Sequence, residues 1–243
     1  MSSSLGIHIT SEIIGQKVHM DTLLYSWTIM GCILTVSFLM TRNLKIEAYS
    51  LKQTLVETIW GLINALTSSQ IPGNKGKTYI PLIGAIFIFT IFAYWMGLMP
   101  WKAFEVFNFW PKLDNGESWE GSSPAADINV TGGMALISLI TYILAGIKTG
   151  GLGYIINYVK PLGFVEWLDL LVRPLTLALR LFANTIAGEV LVFSILGLVA
   201  LVVPMFALAF ELFIGLIQAL VFSLLTTVYI GTAIAHSEDS HEH

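Results

Sequence analysis

Five stretches of apolar residues dominate the sequence, and each is long enough to cross a membrane as a helix. The first three cover residues 23–40, 79–99 and 128–147. Residues 164–203 and 205–235 form a longer apolar region that Pro204 divides, which predicts a hairpin of two long helices. Since about 20 predominantly apolar residues span the hydrocarbon core of a bilayer, the pattern predicts five crossings.

The pattern becomes amphipathic between the first two spans. Over residues 50–68, apolar side chains recur at helical spacing on one side, and polar ones occupy the other; the apolar positions are Leu51, Leu55, Ile59, Leu62 and Leu66. Beside membrane spans, such a pattern is typical of a helix that lies on the membrane surface.

Composition agrees with this interpretation. Of the 243 residues, 55% are apolar and only 12% are charged, whereas soluble domains carry about 25% charged residues. This excludes a disordered chain and a nucleic-acid-binding protein. The single cysteine, Cys32, leaves no intrachain disulfide and no cysteine cluster for a metal. The predicted fold class is an all-α polytopic membrane protein with five crossing helices and one surface helix, the last two crossing helices being long.

Loop charges predict the orientation. Basic residues follow span one, precede span two and follow span three, where Lys148, Lys160 and Arg173 mark a loop and its exit. By the positive-inside rule these segments lie on the cytoplasmic or equivalent side. Residues 1–22 and the acidic loop 100–127 are then expected outside, and the acidic tail 236–243 inside.

Only three formal charges occur in residues 174–235, namely Arg180, Glu189 and Glu211. Placing a charge mid-membrane costs about 2.5–3.5 kcal/mol on insertion scales, and such residues usually mark ion pathways. The alternative for Arg180 is a structural ion pair with Glu211 or with a partner chain. The alternative for each carboxylate is a buried acid with a purely structural role.

Helix geometry separates the three charges. Arg180 and Glu189 are nine residues apart, about two and a half turns, so they point to opposite sides of one helix. Asn184 and Thr176 each lie one turn from Arg180 on its own face. On the last helix, Glu211 and Gln218 share a face, and Glu211 is expected to meet Glu189 near the outer end of the hairpin.

Several motifs carry a resemblance to a known family. Residues 180–184 read RLFAN, residues 187–189 read AGE, and the last helix contains IQA at 217–219 and YI at 229–230. Together with PWK at 100–102, DINVT at 127–131 and Glu166, this set resembles subunit a of the membrane sector, Fo, of F-type ATP synthases. Ala183 stands where glycine is commoner, and the position of Glu211 differs between lineages.

The resemblance implies that the two long helices of the hairpin are tilted, and it also implies the function and a role for each candidate residue. Arg180 would face the rotating ring of c subunits and keep the ring carboxylate from passing protonated between two half-channels. The outer half-channel would contain Asn184, Glu189, Glu211, Gln218 and Asp127, and the inner one Glu166 and Thr176. Plainer alternatives are interhelical packing for Asn184 and Gln218, an interfacial charge for Glu166, and a helix cap for Asp127.

The resemblance also implies the partners and the location. The partners would be the c ring, a b-type peripheral stalk, the remainder of the F1Fo complex and the lipid bilayer. The membrane would be an energy-transducing one, either a bacterial plasma membrane or a thylakoid or other organellar inner membrane. The chain itself would perform no bond chemistry, and the conducted ion could be H+ or Na+.

Other functions lack their expected features in the sequence. A self-contained transporter predicts an internal repeat with paired broken segments, and a haem-binding anchor predicts histidines within the spans. Neither is present. Gly76-Lys77-Thr78 lacks the leading glycine and the preceding strand of a phosphate-binding loop, so we expect no bound nucleotide. We expect no cofactor and no metal either.

Overall fold

The computed structural model describes residues 10–13, 16–42, 51–71, 73–98, 123–159, 163–196 and 202–239. Six α-helices make up most of this part of the chain: α1 Met20–Thr41, α2 Leu51–Gln70, α3 Ile80–Leu98, α4 Ile128–Val159, α5 Gly163–Leu196 and α6 Val202–Asp239. Five of them, all but α2, are long and apolar enough to cross a membrane. The predicted all-α polytopic fold with five crossings is confirmed.

Short elements complete the described structure. Before α1, β1 (Thr10–Ile13) and β2 (Gln16–His19) form an antiparallel hairpin in which Thr10 pairs with His19. Two short 3₁₀ helices, Gly73–Thr78 and Pro124–Ala126, precede α3 and α4. The sequence predicted only a polar segment before the first span. Most of the loop 100–127 lies outside the described residues.

Two helices extend beyond their predicted ends. Helix α4 continues to Val159 instead of ending at residue 147, with an interruption at Gly151, whose φ of 58° is accessible mainly to glycine. Helix α6 begins at Val202 and includes Pro204 in its first turn, where a missing N–H is harmless. It also continues through residues predicted as a tail, to Asp239.

The predicted loop before α5 is therefore shorter than expected. Lys148 lies within α4, and Arg173 lies inside α5 beside Pro174. Pro174 removes one backbone hydrogen bond from the helix interior, which neighbouring elements in a membrane bundle can tolerate. The predicted end of this helix, residues 197–203, falls largely outside the described residues.

The core lies among α3, α4, α5 and α6. Helix α4 packs against α5 and α6, and α3 packs against α6. Helix α1 is peripheral, since only 11% of its spanning segment is buried, compared with 39% in α3 and α4. Helix α2 buries Ile63 and Thr67, whereas Leu51 and Leu55 of its apolar side are exposed.

Several buried hydroxyl groups donate to carbonyls of their own helices. Thr90 donates to the Ile86 carbonyl at 2.7 Å, Thr185 to the Leu181 carbonyl at 2.8 Å and Ser223 to the Ala219 carbonyl at 2.9 Å. In a membrane interior these bonds remove the cost of an unpaired polar group. The buried carboxylates and one buried amide described next lack such partners.

Candidate functional site

Glu189 of α5 and Glu211 of α6 lie side by side in the bundle. A methyl group added to Gly188 would collide with the Glu211 carboxylate. The close approach of the two helices therefore depends on the missing side chain at residue 188. Glu189 directly follows Gly188, and its carboxylate lies close enough to the Glu211 carboxylate for the two to interact electrostatically.

Three oxygens of this carboxylate pair are buried without a hydrogen-bond partner among the described residues. They are Oε1 of Glu189 and both oxygens of Glu211, whose residue is only 2% exposed. The backbone of Ser123 interacts with the Glu189 carboxylate. Most buried polar atoms in proteins are paired, so an unpaired cluster of acidic oxygens is typical of a functional site.

One aromatic side chain and one amide side chain extend the site. Tyr94 of α3 is 1% exposed, and its hydroxyl accepts a hydrogen bond from Asn184 Nδ2 at 3.4 Å. The Tyr94 ring rests on Gly215, where an added methyl carbon would lie 2.8 Å from Cγ of the ring. The tyrosine therefore connects α5 to α3 beside the carboxylate pair.

The turn before α4 closes the same site. Ser123 is fully buried, and its Oγ donates to the Ala93 carbonyl at 2.8 Å. A methyl carbon added to Gly97 would lie 2.9 Å from Glu189 Oε1. Glu189 is thus held among α3, α5, α6 and the Ser123 turn.

Gln218 lies on the Glu211 face of α6, about two turns further along. It is 8% exposed, and its Nε2 has no hydrogen-bond partner in the described part of the chain. The structure therefore shows Gln218 as a second orphaned polar group on this face. The interhelical hydrogen bond considered as its alternative role is not made through this nitrogen.

Arg180 is separated from the carboxylates. Its side chain is exposed on α5, whereas Glu211 is buried and its oxygens accept no hydrogen bond from any residue that the structure describes. The alternative of an ion pair between Arg180 and Glu211 is therefore wrong within this chain. Thr176 is also exposed, and its Oγ1 donates to the Arg173 carbonyl at 2.9 Å.

The remaining sequence candidates lie apart from the pair. Asp127 caps α4: its Oδ1 accepts from the backbone N–H of Asn129 at 2.8 Å and from the Asn129 amide at 3.0 Å. Glu166 belongs to the start of α5, but its side chain lies outside the described part of the structure. The roles of both residues in conduction stay predictions.

A second polar cluster surrounds Arg173. The guanidinium lies 5.1 Å from the centre of the Tyr142 ring and 5.0 Å from that of Tyr229, which are cation–π distances. Its Nη1 donates to Thr232 Oγ1 at 3.2 Å. The sequence had placed Arg173 at a loop exit, whereas the structure shows it joining α4, α5 and α6.

Metal chemistry finds no support in the described residues. No group of three or more histidine, cysteine, aspartate or glutamate side chains there could hold a metal ion. What the site does offer is a set of carboxyl, phenol and amide groups: all of them can hydrogen-bond, and the carboxyls can also take up and release a proton. Their position inside a bundle of spanning helices suits ion movement rather than substrate binding.

Comparison with known proteins decides the family. The model of the family described as ATP synthase A chain matches residues 23–231. The chain belongs to this family. It is 35% identical over 239 residues to ATP synthase subunit a of Gloeobacter violaceus, covering 98% of this chain and 93% of that protein. It is 36% identical over 242 residues to the chloroplastic subunit a of Stigeoclonium helveticum, with the same coverage.

Membership in the subunit a family makes the chain a proton-translocating stator subunit of the ATP synthase membrane sector. It is therefore an integral membrane protein. The resemblance recognised in the sequence is confirmed, and a self-contained transporter is set aside. Sequence reasoning missed Tyr94, Gly97 and Ser123 as parts of the site, because their roles depend on which helices pack together.

Proposed function

We propose that this subunit conducts ions through two offset half-channels, and that Arg180 faces the c ring between them. The observation that carries the proposal is the exposure of an arginine within an apolar spanning segment. An arginine facing lipid would cost at least about 2.5 kcal/mol. A partner that carries carboxylates, such as the c ring, would remove that cost.

The surroundings of Arg180 support a protein partner. Exposed side chains continue along the Arg180 side of α5 at Thr176, Ala183, Ala187 and Leu191. Small residues at 183 and 187 allow another helix to approach closely. We propose that this strip, residues 176–191 on the exposed side of α5, is the surface along which the ring rotates.

We propose that the buried polar site is the outer half-channel. Glu189, Glu211, Asn184 and Gln218 would pass ions towards the ring, with Asp127 near the entrance. Two like charges held together out of water are costly. A proton on one carboxyl lowers that cost, and the unpaired oxygens can exchange it. Glu166 and Thr176 are proposed for the inner half-channel.

Ion transfer to the ring then follows from membrane electrostatics. A ring carboxylate that receives a proton becomes neutral and can rotate through lipid, where a charged group could not. Arg180 attracts the carboxylate only after the proton has left, and so prevents a direct passage between the half-channels. Each elementary charge crossing 100 mV supplies about 2.3 kcal/mol.

The same proposal includes the assembly and the orientation. The partners are the c ring, a b-type peripheral stalk and the rest of the F1Fo complex, which performs the ATP chemistry that this chain does not. The N-terminus lies outside and the C-terminus on the cytoplasmic side of an energy-transducing membrane, of bacterial plasma or organellar type. The proposed ion is H+; the Na+ alternative has no specific support in the comparisons.

Cysteine cross-linking tests the proposed ring surface. After Cys32→Ser removes the native thiol, we expect Ala183→Cys to cross-link to a cysteine placed on the c subunit. Ala178→Cys, on the same helix but only 7% exposed, should not. Ile140→Cys, exposed on α4, should not either, because we expect α4 to face lipid there. Equal cross-linking from all three positions, or none from Ala183→Cys, would contradict the proposed surface.

The contact between Gly188 and Glu211 gives a further prediction. Gly188→Ala places a methyl group where the Glu211 carboxylate lies, so the carboxylate must move away from Glu189. We expect a several-fold loss of ATP-driven proton pumping in membrane vesicles. Adding Glu211→Asp shortens the displaced side chain and should restore part of the rate. No loss in Gly188→Ala would show that this spacing does not matter for conduction.

A further inference from the structure

Two sets of polar residues occupy one face of α6 at different depths. Glu211 and Gln218 belong to the buried polar site that is proposed as the outer half-channel, which we call the outer site. Thr226 and Tyr229 belong to the cluster around Arg173. Gln218 and Thr226 are eight residues apart, about 12 Å along a helix. A hydrogen-bonded path between them would connect the outer side of the subunit to its inner end.

The inner cluster continues towards the exposed surface. Ser138 of α4 donates to Thr226 Oγ1 at 3.1 Å, and both residues are buried. A small cavity beside them is lined by Ser138, Tyr142, Arg173 and Tyr229, and also by Ala135 and Leu177. Arg173 in turn contacts Thr232, which is exposed near the end of α6 that carries His236. Polar groups therefore reach from the surface to the Ser138 hydroxyl.

An apolar layer separates this cluster from the outer site. Its members come from α4, α5 and α6 and belong to one continuous core cluster: Met134, Ala135, Leu177, Leu181 and Phe222. None is more than 7% exposed, and Leu181 and Phe222 are fully buried. Tyr94 belongs to the same cluster and hydrogen-bonds to Asn184 of the outer site. The layer therefore borders the outer site on one side and the Arg173 cavity on the other.

We infer that this apolar layer is a proton-tight seal within the subunit, which keeps the outer site from connecting to the Arg173 cluster through the bundle. The inference rests on the proposed role of the outer site. Proton movement needs a continuous chain of hydrogen-bonding groups or water, and ordered water needs two to four polar partners. The five side chains of the layer offer none. Ser223, next to Phe222, donates to its own helix instead.

The seal differs in place and in task from Arg180. Arg180 is exposed on α5 and acts on carboxylates that pass along the surface of the subunit. The layer is buried among α4, α5 and α6, away from the exposed strip proposed for the ring. A failure of the layer would let protons cross without rotation, whereas a failure at Arg180 would involve the ring.

The test is a proton leak that does not need the ring. Complexes carrying Phe222→Asn are assembled in membrane vesicles, and the ring carboxylate is blocked with a carbodiimide. Passive proton flux under an imposed potential is then recorded. We expect a flux several-fold above that of the blocked wild type, because the amide provides polar partners for water in the layer. Phe222→Leu keeps the layer apolar and should remain tight.

Phe87→Asn is the matched control. Phe87 is 3% exposed and belongs to a different core cluster, with Ile63, Ile83 and Ala219. It should give no leak beyond that of the blocked wild type. A second layer variant, Leu177→Asn, decides the question if Phe222→Asn does not assemble, since it places an amide of similar size beside the Arg173 cavity.

The outcomes separate the seal from the proposed function. A ring-independent leak in Phe222→Asn or in Leu177→Asn, absent in Phe87→Asn, supports the seal. Blocked vesicles that stay tight in both layer variants, or that leak equally in Phe87→Asn, overturn it. The conducting role is judged separately, by ATP-driven pumping in the wild type and in Arg180→Ala.

Discussion

Arg180→Ala should abolish ATP-driven proton pumping by the assembled complex. Alanine has no charge, so it can neither attract a deprotonated ring carboxylate nor hold it until a proton arrives. The apolar strip around residue 180 then offers the ring carboxylate no partner out of water, where an unpaired charge is costly. The measurement is acidification of inverted membrane vesicles on addition of ATP, reported by a pH-sensitive dye.

A matched control distinguishes the loss of the charge at residue 180 from the loss of one positive charge anywhere in the subunit. Arg42 is exposed at the end of α1, far along the chain from the hairpin. Arg42→Ala removes the same charge from the subunit and should leave pumping near the wild-type rate. Pumping at the wild-type rate in Arg180→Ala, with the complex assembled, would contradict the role proposed for Arg180.

Much of the site could be predicted from sequence because charge is scarce in the last two helices. Any ionisable residue in an apolar helix is costly, so Arg180, Glu189 and Glu211 stood out without structural knowledge. Helical periodicity then separated Arg180 from Glu189, and the structure shows the arginine exposed and a carboxylate oxygen of Glu189 buried. The roles of these residues in conduction stay predictions.

The parts that sequence could not predict depend on contacts between distant helices. Tyr94 resembles any aromatic residue of a membrane span until α3 is placed beside Asn184. Gly97, Gly188 and Gly215 resemble ordinary small residues, and their importance appears only when a carboxylate or a ring occupies the space above them. A single sequence carries periodicity within a helix but not the pairing of one helix with another.

Arg173 shows what a charge rule leaves out about one residue. Basic residues at the ends of spans usually mark the inner loops, and Arg173 is predicted to mark the exit of one of them. In the structure it lies in α5 between Tyr142 and Tyr229. Tyr142 lies in α4 and Tyr229 in α6, far apart in sequence. No local pattern could therefore predict that their rings contact the Arg173 guanidinium.

Helix ends were the other weak point, for a local reason. Proline was read as a break at residue 204, but it occupies the first turn of α6, where helices accept it. The proline inside α5, Pro174, does not end that helix. In a packed membrane bundle the neighbours, rather than the proline alone, decide whether a helix continues.

Glu189→Gln should lower ATP-driven proton pumping by about tenfold or more, since a positioned group that transfers protons typically contributes about 100-fold or more. Glutamine keeps the size of the side chain, but its amide cannot take up and release a proton at neutral pH. It would still fit beside Gly97 and Ser123, where Glu189 now lies. We therefore expect the complex to assemble. Its rate of ATP hydrolysis should equal that of the wild type when hydrolysis is uncoupled from proton transport.

The control is Glu57→Gln, the same change in the exposed helix α2, where Glu57 accepts a hydrogen bond from Gln53 at 2.8 Å. It should pump at the wild-type rate. Glu211→Gln tests whether the two carboxyls act as a pair: the double variant should then be little slower than the slower single variant, because removing either partner already interrupts the transfer. Independent, multiplying losses would mean that Glu189 and Glu211 do not share a proton path, and unchanged pumping in Glu189→Gln would exclude that residue from the path.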